Sequence, residues 1–231
     1  MRKLGLIGGM SWVSTRTYYE HINRLVQERR AKHASAPLLI ESLDFMRLWG
    51  LSNDDDWDRA ATVLIDSAQR LEQAGAGAIL IGANSMHKVY DRVAEAVDVP
   101  IIHIADCVGE KMKADGIQLA ALIGTRNVMT ESFYRQRLIS HGIKLLPPEI
   151  DAVDMLDRII YDELMNGRAT RDAERSMKSL FTDLEKKDAK AIILACTELE
   201  MVVDIDANVL PIYDCTRIHA ARGAEWILAE D

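Results

Sequence analysis

Residues 79–88 read ILIGANSMHK, and residues 191–200 read AIILACTELE. Each begins as an apolar run and stops abruptly: at Ala83, Asn84 and Ser85 in the first, at Cys196, Thr197 and Glu198 in the second. A short run without polar alternation is the mark of a strand buried on both faces, as in a parallel sheet covered by helices. The same unit recurs on either side. KLGLIGG, PLLIESLD, GAILIGAN, VPIIHIAD, QLAALIGT, IKLLPPE, KAIILACT and VLPIYD read as strands. Between them lie helical patterns: TRTYYEHINRLVQERRAKH, with Tyr18, Ile22, Leu25 and Val26 on one face; DWDRAATVLIDSAQRLEQAGA, closed by Gly75; then MHKVYDRVAEAV, CVGEKMKADG, ESFYRQRLISHG, the long VDMLDRIIYDELMNG, a stretch from Arg171 to Lys187, and the terminal TRIHAARGAEWILAE. Strands alternating with helices define an α/β protein with mainly parallel sheets flanked by helices.

The pattern runs through the chain twice. LGLIGGM from Leu4 matches AALIGTR from Ala120, AILIGANSM from Ala78 matches AIILACTEL from Ala191, and VPIIHIAD from Val99 matches LPIYDCT from Leu210. Three matches in the same order, each ending in a small or polar turn, predict two similar α/β domains. The first is expected to span 1–113 plus a C-terminal segment 211–231, and the second 114–210.

Composition narrows the function. The chain has 231 residues, 48% of them apolar, and a net charge of -8, which argues against a nucleic-acid partner. It has no run of about 18 apolar residues that would span a membrane, and its basic, briefly apolar start breaks at Gly8-Gly9. A cytoplasmic location is expected. Three widely spaced cysteines, Cys107, Cys196 and Cys215, form neither a disulfide framework nor a metal motif, and no metal is expected. The acids of DDDWD (54–58) resemble a calcium loop, but Arg59 stands where the sharp-turn glycine belongs; they read instead as the first turn of a helix capped by Ser52 or Asn53. GLIGGMSW lacks the G-x-G-x-x-G spacing of a dinucleotide site, no P-loop occurs, and Lys88 has no partner motif for pyridoxal phosphate.

Ligands of open parallel sheets bind beyond the carboxyl ends of the strands. Met10 and Ser11, Ala83 to Ser85, Thr125, and Cys196 with Thr197 all fall at such ends, each before a helical pattern. Free N–H groups there favour a carboxylate, and the hydroxyls and amide of Asn84, Ser85, Thr125 and Thr197 add donors in a cleft between the halves. A cysteine in such a turn is expected to be more acidic than a free thiol, and so able to act as base or nucleophile. Cys107 and Cys215 lack that polar setting and read as structural. His87 is expected to bond a carbonyl or shape the pocket wall. Trp12 and Trp49 either close over the cleft or simply pack.

Together GLIGGMSWVST, NSMHKV, HIAD, LIGTRNVM, FYRQRL, IIYDELMNG, ACTE and PIYDCTRIHA resemble the aspartate/glutamate racemase family over nearly the whole chain. The resemblance implies two pseudo-twofold-related α/β domains with the active site in the cleft, usually as a homodimer, and racemisation of a small amino acid without a cofactor. It also implies one acid/base residue on each face of the α-carbon. Cys196 matches the second-half base, expected to work on the L enantiomer. The first-half position, cysteine or threonine in relatives, is here Ala83, beside the Asn84 that relatives use for substrate. Met10, Ser11, Asn84, Ser85, Thr125 and Thr197 are expected to hold the substrate. Arg47, Arg126 and Arg168 are candidates for a distal carboxylate, and Glu198, where some relatives carry histidine, reads as structural or as standing behind the residues that touch substrate. Ala83 leaves three readings: a racemase altered or impaired on one face, with water or a neighbour such as Ser85 replacing the base; a single-cysteine decarboxylase of malonate-type acids; or an amino-acid or dicarboxylate binding protein.

Overall fold

The computed structural model describes residues 1–229; position 230, the last of the expected terminal helix, and position 231, the last of the expected first domain, lie outside the described residues. Eight strands form two sheets: β1 (Leu4–Gly8), β2 (Leu38–Ser42), β3 (Ala78–Ile81) and β4 (Ile101–Ile102) in the order β2-β1-β3-β4, and β5 (Leu119–Gly124), β6 (Lys144–Leu145), β7 (Ile192–Ala195) and β8 (Ile212–Asp214) in the order β6-β5-β7-β8. Every pairing is parallel. The repeat seen in the sequence is thus a repeat of topology, with the same strand order built twice.

The unbroken apolar character of β1 and β3 is explained by their two covered faces. Ile7, Ile79 and Ile81 pack in one cluster with Ala60, Leu64 and Ala68 of α2 (Asp54–Gln73). Leu4, Leu6 and Leu80 pack in another with Tyr18, Ile22 and Val26 of α1 (Trp12–Arg29) and with Ala220, Ala224 and Ile227 of α9 (Cys215–Leu228). In the second sheet Ala121, Ile123, Ile192 and Leu194 meet Val153 and Leu156 of α7 (Ile150–Arg158) and Met177 and Phe181 of α8 (Arg171–Lys186). Helix α2 starts as the acids implied: Asn53 accepts from the Asp56 N–H and the Asp56 carboxylate accepts from the Asn53 N–H, a reciprocal cap.

The chain divides into two compact units, 1–104 with 219–231 and 105–218, rather than at 113/114 and 210/211. Two contacts move the boundaries. Asp106 of α4 (Ile104–Ala114) bonds Arg137 at 2.8 Å and His141 at 3.0 Å, both on or beside α6 (Ser132–Ser140), so α4 belongs to the second unit almost entirely. Strand β8 pairs with β7, so residues after 210 begin in the second sheet.

Several elements are shorter than their patterns. After Arg158 the expected long helix widens into a π turn, Ile159–Glu163, and ends in a 3₁₀ turn. The helix expected from Met86 is a 3₁₀ turn, Ser85–Val89, followed by α3 (Tyr90–Ala94). VPIIHIAD yields only the two residues of β4, because side chains satisfy the backbone there. Tyr90 Oη–H donates to the Ile101 carbonyl (3.0 Å), His219 Nε2–H to the Ile102 carbonyl (2.9 Å), and the Ile104 N–H donates to His87 Nε2 (3.3 Å). These bonds take the groups that a longer strand would have needed. They gather His87, His103 and His219, far apart in sequence, with ring centroids 4.5 Å (His87–His103) and 6.0 Å (His87–His219) apart.

His219 is bonded through both ring nitrogens: Nε2–H donates to the Ile102 carbonyl, and Nδ1 lies 2.8 Å from Tyr18 Oη, from which it accepts when the ring is neutral. Burial pushes its pKa down to about 4, with the Ile102 bond opposing. The unfolded chain takes up this proton near pH 6.5 and the folded chain only near 4, so the contribution is full above pH 6.5 and is lost as the pH falls. The loss is about 3 kcal/mol by pH 4. Asp214, raised to about 6 mainly by burial, works in the opposite sense, so the test is a difference. Urea denaturation at pH 7 and pH 4 should show wild type losing about 3 kcal/mol more than His219→Gln; equal losses would mean that His219 is not held neutral.

Candidate active site

In the first unit the carboxyl ends of β1 and β3 lie together. Gly9 turns the chain after β1 at φ +81°, where a Cβ would stand 2.1 Å from the Leu43 carbonyl oxygen, so no other residue fits. The Met10–Ser11 peptide is cis. Ser11 Oγ caps α1 by accepting from the Ser14 N–H (3.4 Å), and Ser14 Oγ–H donates to the Gly82 carbonyl (3.1 Å), which ties the two turns together. Met10, Ser11, Ala83 and Asn84 are buried there, and Ser85 is half-buried. Ala83 sits in an apolar cluster with Met10, Leu43, Leu48 and Met86. His87 Nδ1–H donates to the Ala83 carbonyl (3.0 Å) while Nε2 accepts from Ile104, so His87 bonds a carbonyl as its position suggested, as a neutral ring with both nitrogens used.

In the second unit Gly124 and Ala195 are register partners on β5 and β7, which sets Thr125 and Cys196, the next residues, side by side at the strand ends. A Cβ on Gly124 would lie 2.7 Å from the Ala195 carbonyl oxygen, so glycine permits this close approach. Cys196 and Thr197 are 7% and 6% exposed. Thr125 Oγ1 is buried, with no hydrogen-bond partner among the described residues. It stands at the head of α5 (Arg126–Thr130) without capping it. A buried orphan hydroxyl costs about 1–3 kcal/mol and suits a group that receives a ligand.

The turn after β7 departs from expectation in its electrostatics. Cys196 Sγ–H donates to Glu198 Oε2 (3.2 Å), and Thr197 Oγ1–H donates to the same oxygen (2.7 Å). The Thr197 proton expected to hold substrate is therefore taken by Glu198. The thiol is not more acidic than a free cysteine: burial pushes its pKa well above the ordinary value, and the Glu198 charge adds to the rise. The turn, Thr197–Met201, is a single short 3₁₀ segment with little dipole to oppose them. A second unit charge 3.2 Å from the carboxylate costs about 5 kcal/mol at an effective dielectric of about 20. Glu198 is thus in direct contact with the thiol rather than behind it. Its spacing of two residues in a tight turn was the signal available.

The arginines do not gather here. Arg47 and Arg168 are exposed. Arg126 is bound by Asp154 and by Asp157 at 3.0 Å, which together hold its pKa up. Lys88 lies 4.4 Å over the Trp57 ring, and Trp12 and Trp49 are exposed. Cys107 and Cys215 are buried and form no disulfide; Tyr134 Oη and Cys215 Sγ lie 3.2 Å apart. Among the described residues no group of three His, Cys, Asp or Glu side chains could hold a metal ion, and no helix is long and apolar enough to cross a membrane.

Two parallel α/β sheets of identical order, each ending in a set of small polar turns and one of them in a buried thiol, define a racemase-type fold. Residues 7–223 match the Asp/Glu/Hydantoin racemase family model, and the chain belongs to that family. It is similar to an Asp/Glu racemase-family protein of Yersinia pestis (37% identity, TM-score 0.90, covering 99% of this chain and all of that one) and to an aspartate racemase homologue of Pyrococcus horikoshii (30% identity, TM-score 0.86, 99% and 100% covered). It is also 23% identical over 219 residues to the broad specificity amino-acid racemase RacX of Bacillus subtilis, covering 85% of this chain and 94% of that protein.

Thr125→Val removes the orphan hydroxyl and keeps its shape. Urea denaturation of the ligand-free variant should give a stability about 1 kcal/mol above wild type; a loss of that size would show that the hydroxyl has a partner.

Proposed function

We propose that the protein is a cofactor-independent amino-acid racemase working with one acid/base side chain, Cys196, acting on aspartate, glutamate or a similar small amino acid. The observation that carries this reading is the buried Cys196 beside the orphan Thr125 hydroxyl in a chain of this family. In the proposed reaction the Cys196 thiolate takes the α-proton: the Cα–H bond breaks, an S–H bond forms, and the electron pair moves into the substrate carboxylate as an enolate. Thr125 Oγ1–H is one donor to that carboxylate. Met10, Ser11, Asn84 and Ser85 complete the proposed substrate-binding set, and Thr197, its hydroxyl proton given to Glu198, drops out of it. Donors aimed at developing charge in a buried site supply the stabilisation that a cofactor would otherwise give.

The opposite face lacks a group of this kind. Ala83 carries no titratable atom and is packed among methionine and leucine side chains. The proton therefore returns chiefly from the face it left, and inversion depends on water or on Ser85. Exchange should outrun racemisation. A homodimer, implied by the family resemblance, and a cytoplasmic location, expected from the sequence, belong to the same proposal.

The apolar surroundings of Ala83 also favour a second reading, loss of carbon dioxide from a malonate-type acid, because a leaving carboxylate sheds its charge against that wall. Carbon dioxide release from a panel of such acids tests it.

Proton NMR of L- and D-aspartate and L- and D-glutamate in deuterium oxide tests the first. The α-proton of the L form should vanish faster than the D enantiomer appears. Cys196→Ala should lower exchange at least a thousandfold, and exchange retained in that variant would remove the assignment. Ala83→Thr should raise the racemisation-to-exchange ratio about tenfold or more; an unchanged ratio would mean that position 83 does not serve the second face.

A further inference from the structure

Glu198 is among the most deeply buried acidic groups, 2% exposed, and its Oε2 accepts from both Cys196 Sγ–H and Thr197 Oγ1–H. Such a carboxylate is neither a surface charge nor a helix cap. Other titratable groups acting on this pair include Tyr161, in the π turn after α7, and Cys215 at the head of α9, with Asp157 beyond Tyr161. Burial pushes Tyr161 up to about 12, and Asp157 is bonded by Arg126, so neither takes a proton from the thiol near neutrality. If the thiol lost its proton to solvent, two adjacent negative charges would stand in a buried site. If the proton moves to Oε2, the pair keeps a charge of minus one throughout.

We infer that Glu198 is the acceptor of the Cys196 proton, the two side chains exchanging one proton across the Sγ–Oε2 contact while Thr197 holds the receiving oxygen. The inference deepens the reading of Cys196 as the acid/base and rests on it. In the forward step the S–H bond breaks with its electron pair left on sulfur, and an O–H bond forms on Glu198. The thiolate then takes the α-proton from substrate, and both transfers reverse when the proton returns. No co-reactant is needed, and the proton on sulfur exchanges with solvent before it is returned, so that deuterium reaches the α-carbon in deuterium oxide. Glu198 acts through Cys196 and is a positioning residue, with a pH dependence of its own.

That dependence can be read without substrate. While the pair holds one proton, the fraction present as thiolate and carboxylic acid does not change with pH. The rate of Cys196 alkylation by iodoacetamide, resolved from Cys107 and Cys215 by peptide mass spectrometry, should stay within about threefold from pH 6 to pH 9. In Glu198→Gln the thiol must ionise to solvent, and its rate should climb about tenfold per pH unit until it reaches a plateau. A tenfold climb per unit in wild type, or a flat profile in the variant, overturns the inference. In the exchange assay Glu198→Gln should be slower than wild type by at least tenfold at pH 7.5 despite its more acidic thiol; an equal or faster rate overturns it. Absence of exchange in wild type would end the racemase reading and leave the alkylation result to decide the role of Glu198.

Discussion

The structure depends on parallel strands that must be covered on both faces. A parallel strand has no water-facing side, so β1, β3, β5 and β7 are almost wholly apolar, and each must be followed by a helix that returns over the sheet. That return forces a tight turn at the carboxyl end of every strand. Along these strands, polar side chains and free N–H groups are admitted chiefly there. The buried thiol, the orphan hydroxyl of Thr125 and the buried Ser11 and Asn84 are all found in those turns.

The same constraint made much of the molecule legible. Strand identity and the internal repeat follow from apolar run length and turn chemistry, which are local properties. The turn residues Met10, Ser11, Ala83, Asn84, Thr125 and Cys196 could be picked out because each ends such a run. What the sequence hides is long-range. Asp106 pairs with Arg137 and His141, and that pairing carries α4 into the second unit; nothing in the KMKADG stretch announces it. The histidines at 87, 103 and 219 meet only because β4 is replaced early by side-chain hydrogen bonds. Periodicity could not foresee the π turn after Arg158, since it preserves the apolar face while changing the winding.

The cysteine shows how position and environment can disagree. A strand-to-helix turn suggests an acidic thiol, as free amides and a dipole point at it. Here the helix is one 3₁₀ turn, the thiol is buried, and a carboxylate is its hydrogen-bond partner. Desolvation and like charge both hold the proton on sulfur, and they outweigh a dipole of this length. The chemistry of this turn belongs to the pair rather than to the cysteine alone.

The aromatic side chains around β4 carry a further consequence. A strand at the edge of a sheet is a template on which another chain can add, and long bare edges promote aggregation. Here the edge is two residues long, and its carbonyls already accept from Tyr90 and His219. It offers little purchase to a stray strand, whether from a neighbour or from a partly unfolded copy. The bonds that end β4 early therefore also protect the chain in a crowded solution, at the edge of the sheet that carries Ala83 and Asn84.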